Sequence, residues 1–186
     1  MTVMEATAVP PGHTREGGVL VGSIGAWRRL VVFEDPQCPY CREFEKVSGD
    51  LLRREVAAGA VAVEYRIRSF LGDESVRAAN ALALAAGAGA GRFDELRREI
   101  FANQPPEHSG GFSAEDLLRL GMLVGLTSDD YVASVQTGRY ESWVRAIEAV
   151  FEEQDPEGTP FALLDGRPVE SGSLSDPDRL GSLIRA

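Results

Sequence analysis

The sequence contains no long apolar run. A membrane-spanning helix needs about 20 predominantly apolar residues. The longest weakly polar stretch, residues 78–91, is rich in Ala and Gly, is interrupted by Asn80 and falls short of that length. The sequence therefore predicts no transmembrane segment within these 186 residues.

The features of a signal peptide are missing from the first 18 residues. A secretory signal has a basic segment followed by an apolar one, whereas residues 1–18 contain Pro10-Pro11-Gly12 and Gly17-Gly18. Such Pro- and Gly-rich dipeptides are typical of loops and turns. We expect a flexible N-terminal segment, and either a cytosolic protein or one whose leader or anchor precedes this numbering.

Basic residues are scarce as well. The chain has 19 Lys and Arg against 29 Asp and Glu, a net charge of −10. Nucleic-acid binding requires clustered basic residues, so we expect no nucleic-acid partner. The arginine pairs at 28–29, 53–54 and 97–98 lie among acidic residues or on helix faces, and we interpret them as structural. Length and composition are those of one soluble globular domain with room for an insertion.

Only two cysteines are present, and they form the motif Cys38-Pro39-Tyr40-Cys41. The motif follows an apolar run and precedes a helical pattern. The free N–H groups and the dipole of a helix N-terminus stabilise a thiolate, and such positions lower a cysteine pKa from about 8.5 to roughly 3.5–7.5. Since the second cysteine lies one turn away, it can attack a mixed disulfide formed by the first. The motif predicts a two-electron redox centre.

Two other roles for the cysteines are less favoured. A zinc site needs four ligands, but the chain has no further cysteine, and His13 and His108 lie in Pro- and Gly-rich stretches without zinc-like spacing. A purely structural disulfide would close a very small loop and stabilise the fold little. We therefore expect no metal and no cofactor beyond the cysteine pair.

The order of apolar patterns predicts an α/β fold. Strands are expected at residues 19–21, 30–33, 61–67 and 161–164, with a hairpin turn at Asp165-Gly166 leading to a strand from 167. Helices are expected at 41–58, from 140 to about Asp155-Pro156, and from Ser175 or Asp176 onward. Residues 73–137 show only short helical patterns, one of them opened by a capping box from Ser113 to Asp116. We predict a flexible segment at 1–18, a helical insertion at 73–137, and a main domain formed by 19–72 and 138–186.

Three strings in this order resemble the DsbA-like thiol:disulfide oxidoreductases. They are FEDPQCPYC at residues 33–41, FANQPP at 101–106 and Gly158-Thr159-Pro160. The resemblance runs from Val19 to the C-terminus and is strongest to the branch found in Gram-positive and actinobacterial cell envelopes. It implies a thioredoxin fold with an inserted all-helical subdomain.

The resemblance also implies roles for matching residues. Cys38 would be the attacking, partly exposed cysteine, and Cys41 the buried resolving one. Pro160 would be a cis-proline beside the disulfide, and the backbone of Thr159 would pair with an extended substrate. Pro39-Tyr40 would complete the substrate-binding residues. The alternative for Pro160 is a trans proline that opens an edge strand.

The chain departs from its relatives around the motif. Thioredoxins have a buried Asp where this chain has Val32, so no buried carboxylate is expected at that position. Glu34 and Asp35 are nearer to the cysteines and would modulate the redox pair, because acidic neighbours raise a thiol pKa. The alternative is that both are surface charges near the helix N-terminus. Tyr40 replaces the His of the best-known DsbA and cannot supply its cationic stabilisation.

These observations favour an oxidase that transfers its disulfide to unfolded or reduced proteins. The resemblance implies a monomer outside the cytoplasm, reoxidised by a recycling partner such as a membrane quinone-linked oxidase. A reductase or isomerase with the same site, and a peptide-binding chaperone-like module, remain open. A glutathione-dependent reductase is also considered because glutaredoxins share the CPYC motif, but the helical insertion argues against it.

Overall fold

The computed structural model describes residues 8–154 and 158–186. The strands are β1 (Val19–Val21), β2 (Arg28–Glu34), β3 (Val61–Ile67), β4 (Phe161–Leu164) and β5 (Arg167–Pro168). The helices are α1 (Pro39–Ala57), α2 (Asp73–Gly87), α3 (Ala90–Ala102), α4 (Ala114–Leu123), α5 (Asp129–Thr137), α6 (Glu141–Gln154), α7 (Ser171–Leu174) and α8 (Pro177–Arg185). This order confirms the predicted α/β class.

The five strands form one mixed sheet in the order β1-β3-β2-β4-β5. β2 and β3 are parallel, with Leu30 opposite Val63, and the other pairs are antiparallel. β2 is central, and its residues Leu30, Val32 and Phe33 are fully buried. A central strand is covered on both faces, which explains its continuous apolar run.

Helices cover both faces of the sheet. On one face, Leu30 and Val32 pack in a cluster with residues of α1, α3 and α8, among them Phe44 and Leu180. On the other face, Phe33 packs with residues of α2 and α6, among them Phe151. The buried strand β2 therefore delivers its C-terminal end, and the loop that follows it, to a position enclosed by helices.

The helical region α2–α5 lies between β3 and α6, and no strand occurs between residues 68 and 140. In its Ala-rich α2, ten of the 15 residues are buried, because small side chains let neighbouring helices approach it on several sides. The predicted capping box is present, with the Ser113 hydroxyl accepting from the Asp116 N–H and the Asp116 carboxylate accepting from the Ser113 N–H. The domain boundaries at 72/73 and 137/138 stay predictions.

The N-terminal segment is held against the core from about residue 10. The rings of His13 and Trp143 pack edge to face, with their centroids 4.8 Å apart. The Thr14 hydroxyl donates to the Glu64 carboxylate at 3.0 Å. A Cβ on Gly17 would lie 2.8 Å from Ile147, and its φ is +85°, so glycine permits this close approach. The flexible segment predicted for residues 1–18 is therefore packed over its described second half.

A few element ends differ from the sequence patterns. α1 begins at Pro39 rather than Cys41, and the closing helix begins at Pro177 with Asp176 as its N-cap. The four-residue α7 was not predicted, because one turn shows no periodicity. The predicted end of α6 at Asp155-Pro156 lies outside the described residues. None of the helices in the two described ranges is long and apolar enough to cross a membrane.

Candidate active site

The two cysteines lie where β2 ends and α1 begins. Cys38 is the N-cap residue of α1, with an extended backbone at φ −69° and ψ 118°. Its carbonyl accepts the N–H groups of Cys41 and Arg42 at 3.1 and 3.2 Å. Pro39 occupies the first turn, where a missing N–H leaves no hydrogen bond unmade. The end of the strand thus places the Cys38 sulfur at the positive end of a helix.

Both cysteines are free thiols in this structure, and both are buried. Cys38 is 5% exposed and Cys41 is fully buried. The order of exposure agrees with the expectation, but Cys38 is more enclosed than the partly exposed thiol that was predicted. The reason is that Phe101 and Leu71 pack against the pair and that the Cys38 thiol donates to the Thr159 carbonyl at 3.3 Å.

The environment separates the acidities of the two thiols. Hydrogen bonds from the Cys41 thiol, the Thr159 side chain and the backbone N–H groups of Cys41 and Tyr40 lower the pKa of Cys38 to about 6, against the opposing effect of burial. Burial raises the pKa of Cys41 well above its usual value, and the negative charge of Cys38 raises it further. At neutral pH the reduced pair therefore carries a Cys38 thiolate beside a Cys41 thiol.

The peptide bond between Thr159 and Pro160 is cis. The cis-proline predicted at Pro160 is present in the structure, and the trans alternative is wrong. Thr159 reaches the cysteines through its carbonyl, as described above. Its hydroxyl Oγ1 is buried, and the Thr159 side chain lowers the pKa of Cys38.

A groove of about 250 Å³ lies beside the cysteine motif. Three of the residues predicted to bind substrate, Tyr40, Thr159 and Pro160, line it together. Tyr40 is 74% exposed, so its ring is free to contact a bound chain. Pro39 is exposed but does not line the groove. The remaining lining comes from Glu43, Gly158, Phe161, Ser171, Leu174 and Ser175.

Glu34 is fully buried, so its interpretation as a surface charge is wrong. The guanidinium of Arg97 donates to both of its carboxylate oxygens, one at 2.9 Å through Nη2, and to Glu45 at 2.7 Å through Nη1. Arg97 is itself fully buried and lies 3.9 Å from the ring centroid of Tyr65. Burial raises the pKa of Glu34, while the charge of Arg97 opposes that effect.

Asp35 is also fully buried, which excludes its surface interpretation as well. Its carboxylate accepts hydrogen bonds from the Ser75 hydroxyl at 2.5 Å, the Gln37 N–H at 2.9 Å and the Leu71 N–H at 3.2 Å. Burial raises the pKa of Asp35 to about 7, and the negative charge of Cys38 adds to the shift. Val32 carries no carboxylate, but the buried acids follow it two and three residues later.

Two glutamines that sequence reasoning left without a role hold the cysteine loop. The Gln104 side-chain amide donates to the carbonyls of Pro36 and Cys38 at 2.7 and 3.0 Å. The Gln37 amide donates to the Leu71 carbonyl and accepts the His108 N–H at 3.1 Å. These bonds tie the loop before α1 to the helical region. Gln104 lies in the FANQPP string, but no pattern indicated its partners.

The buried Arg97 was interpreted as structural but without a partner. A sequence signal for it exists, because Arg97 lies on the same helical face as Phe93, Leu96, Ile100 and Phe101, all of which are buried. A cation within an apolar stripe indicates a buried anion as its partner. Elsewhere, no group of three or more His, Cys, Asp or Glu residues within 8–154 and 158–186 is arranged to hold a metal ion.

Comparison with known proteins gives a consistent result. A family model described as thioredoxin matches residues 14–186. Solved structures with the same fold include the reduced disulfide bond oxidoreductase DsbG from Mycobacterium tuberculosis, with 24% identity, a TM-score of 0.79, and coverage of 90% of this chain and 86% of that one. A search of curated proteins finds no match.

Two further structures show the same relation. The thiol-disulfide oxidoreductase MdbA from Corynebacterium diphtheriae has 18% identity and a TM-score of 0.79, with coverage of 96% of this chain and 94% of that one. Oxidised BdbD from Bacillus subtilis has 18% identity and a TM-score of 0.80, with 96% of each chain covered. The predicted thioredoxin fold is confirmed, and this chain shares that fold with DsbA-like proteins.

Proposed function

Since the chain belongs to the thioredoxin family, we propose that it is a protein-disulfide oxidoreductase that oxidises cysteine pairs in substrate proteins. The observation that carries this proposal is the unequal pair at the start of α1. Cys38 lies at the helix N-terminus with a pKa lowered to about 6, and Cys41 is fully buried with a raised pKa. Such a pair has one sulfur that leaves readily as a thiolate and one that is kept as a thiol.

The exchange proceeds in two substitutions at sulfur. A substrate thiolate attacks Cys38 Sγ of the disulfide form, the Cys38–Cys41 bond breaks, and Cys41 leaves as a thiolate and takes up a proton. The second substrate thiolate then attacks the substrate sulfur of the mixed disulfide, and Cys38 leaves as a thiolate. Two electrons pass from the substrate to the pair, and the substrate gains a disulfide. A low pKa of the leaving thiol favours the second step.

The low pKa of Cys38 also favours the oxidising direction. A stabilised thiolate makes the reduced pair more stable relative to the disulfide, which raises the reduction potential. A recycling partner must then reoxidise the pair, and by family resemblance this is a membrane quinone-linked oxidase. Disulfide formation belongs to oxidising compartments, so the proposed location is outside the cytoplasm, with the protein acting as a monomer and without nucleic acid.

The groove beside Cys38 suits an extended segment of an unfolded or reduced protein. The backbone of Thr159 can pair with one residue of such a segment, as in strand addition. Tyr40 and Phe161 supply apolar surface in the same groove.

The reductase or isomerase direction is the second candidate, and Asp35 is the observation that favours it. When ionised, this buried carboxylate repels the Cys38 thiolate and so stabilises the disulfide form. The hydrogen bonds at the helix N-terminus stabilise the Cys38 thiolate, whereas ionised Asp35 destabilises it. The balance of these two effects fixes whether the pair oxidises or reduces its substrates.

The test is oxidation of reduced, unfolded ribonuclease by the protein in its disulfide form. Cys38→Ser should abolish oxidation, because the remaining Cys41 thiol has no partner with which to form the disulfide that is transferred. Cys41→Ser should lose turnover, because it has no second thiol to resolve a mixed disulfide. When its Cys38 reacts with an oxidised substrate, the mixed disulfide should accumulate and be visible on a non-reducing gel.

Ser23→Ala, which changes an exposed serine away from the cysteines, is the control and should oxidise ribonuclease at the wild-type rate. A Cys38→Ser variant that still oxidises ribonuclease would overturn the proposal. A wild-type protein that fails to oxidise ribonuclease but suppresses aggregation of the reduced chain, with Cys38→Ser equally effective, would favour the chaperone-like module.

A further inference from the structure

The groove beside the cysteine motif carries one charged side chain. Among the described residues that line it, Glu43 is the single acid or base, and the rest of the lining is uncharged. The Glu43 side chain is 56% exposed, and its ion-pair partner Lys46 lies 3.8 Å away on a side chain that is 76% exposed. An exposed pair with such a long separation contributes little. The Glu43 carboxylate is therefore available to a bound molecule.

The period of α1 separates Glu43 from the basic residues next to it in the chain. Residues three or four apart lie on the same face of a helix. Tyr40 and Glu43 are three apart, and both line the groove. Arg42 and Lys46 are four apart, and both line a separate depression of about 450 Å³ between α1 and α3. The α1 side of the groove is therefore acidic, although two cations lie within three residues of Glu43.

A carboxylate in this groove acts on the reacting thiolate of the substrate. The groove adjoins Cys38, because Thr159, which lines it, accepts the Cys38 thiol through its carbonyl at 3.3 Å. The substrate attacks Cys38 Sγ as an anion, and Cys41 leaves as a thiolate. Charges of like sign repel, so Glu43 disfavours a segment that is neutral or acidic around its cysteine. A cation in the segment pairs with the carboxylate and removes that repulsion.

We propose that Glu43 is a specificity-determining residue, which makes the groove select substrate cysteines that have Lys or Arg about two residues away. The inference rests on the proposed function and names the class of segment that the site oxidises. Glu43 follows Cys38 by five residues, which is about 7.5 Å along the axis of α1. An extended chain covers that distance in about two residues.

The experiment uses two pairs of reduced single-cysteine peptides that are otherwise identical. One pair carries Lys or Glu two residues before the cysteine, and the other pair carries Lys or Glu two residues after it. Second-order rate constants for reaction with the disulfide form of the protein are measured at pH 7 and low salt by acid quenching and chromatography. The preference is the ratio of the Lys rate constant to the Glu rate constant. Because a cation also makes the peptide thiol itself more acidic, the preference of wild type is divided by that of Glu43→Gln, which cancels this effect.

In at least one pair, the preference of wild type should exceed that of Glu43→Gln by about two- to fivefold, as expected for an exposed charge pair. Glu43→Lys should lower the preference below that of Glu43→Gln. In 1 M salt, where the Debye length is about 3 Å, the difference should largely disappear. Glu115→Gln, which removes an exposed acid on α4 outside the groove, is the matched control and should keep the wild-type preference.

A purely structural role of Glu43 would change the rate constants of all four peptides by one factor and leave the preference unchanged. Equal preferences of wild type and Glu43→Gln in both pairs would therefore overturn the inference, while the reaction itself would still support the proposed function. A wild-type protein whose disulfide form reacts with none of the peptides would overturn both.

Discussion

Replacement of Arg97 by Met tests how the buried acids beneath the redox pair are kept in place. Arg97 is fully buried and is bound to both oxygens of Glu34, which has no exposed surface either. Arg97→Met would leave Glu34 buried without its cation. Removal of one partner of a buried ion pair typically destabilises a protein by about 3–5 kcal/mol. The loss of Arg97 affects Glu45 less, since Glu45 keeps its ion pair with the Arg53 guanidinium at 2.6 Å.

The assay is urea unfolding at pH 7, analysed by linear extrapolation. Arg98→Met is the matched control, because Arg98 is the exposed next residue on α3 and surface substitutions change stability by about 0.5 kcal/mol or less. A double variant that also carries Glu34→Leu should regain most of the loss, since replacing a whole buried pair by apolar residues is often neutral.

The pH dependence supplies a further check on the same variant. Burial raises the pKa of Glu34 in the folded protein, and the loss of Arg97 removes the opposing charge. A carboxyl whose folded pKa exceeds its unfolded value of about 4.3 binds protons more tightly when folded, so stability falls as pH rises above that value. The deficit of Arg97→Met should therefore shrink toward pH 4–5. A single variant within about 1 kcal/mol of wild type at pH 7, or a double variant no more stable than the single one, would refute the reasoning.

Three other outcomes are expected. In the reduced protein, thiolate absorbance should titrate with a midpoint of about 6 from Cys38, and iodoacetamide should label Cys38 well before the buried Cys41; labelling of Cys41 first would contradict the assigned roles. Gln104→Ala, which removes two hydrogen bonds to loop carbonyls, should destabilise the fold by about 1–3 kcal/mol in urea unfolding, and an unchanged midpoint would show that these bonds contribute nothing. Ser113→Ala should lose about 1 kcal/mol through the cap of α4, while Ser113→Thr, which keeps the hydroxyl, should lose much less.

The sequence predicted the elements whose side chains repeat with a clear period. The apolar run at 30–33 indicated the central strand, and the spacing of Phe44, Leu51 and Leu52 indicated α1. The capping box at Ser113 fixed the start of α4. Short elements such as α7 gave no periodic signal, and the packing of residues 10–18 depends on contacts with Trp143 and Glu64 that no local pattern encodes.

Within the site, residues with a distinctive local motif were predictable and residues defined by distant partners were not. The reactivity of the thiol pair was predictable from its position at a helix N-terminus. The cis peptide bond at Pro160 was predictable from the Gly158-Thr159-Pro160 string shared with the family. The burial of Glu34 depends on Arg97, which is 63 residues away in the chain, and that of Asp35 on Ser75 in α2. Glu34 is the last residue of β2 and Asp35 follows it. Both are polar residues at the end of an apolar run, so their interior position becomes visible only once α2 and α3 are packed over the end of β2.

The most direct test of the central claim is the reduction potential of the Cys38–Cys41 pair at pH 7, measured by equilibrium with glutathione buffers. The low pKa of Cys38 predicts a potential well above the glutathione poise, where the disulfide is donated to substrate proteins. A potential near or below that of thioredoxin, about −270 mV, would contradict the oxidase account and assign the protein to disulfide reduction.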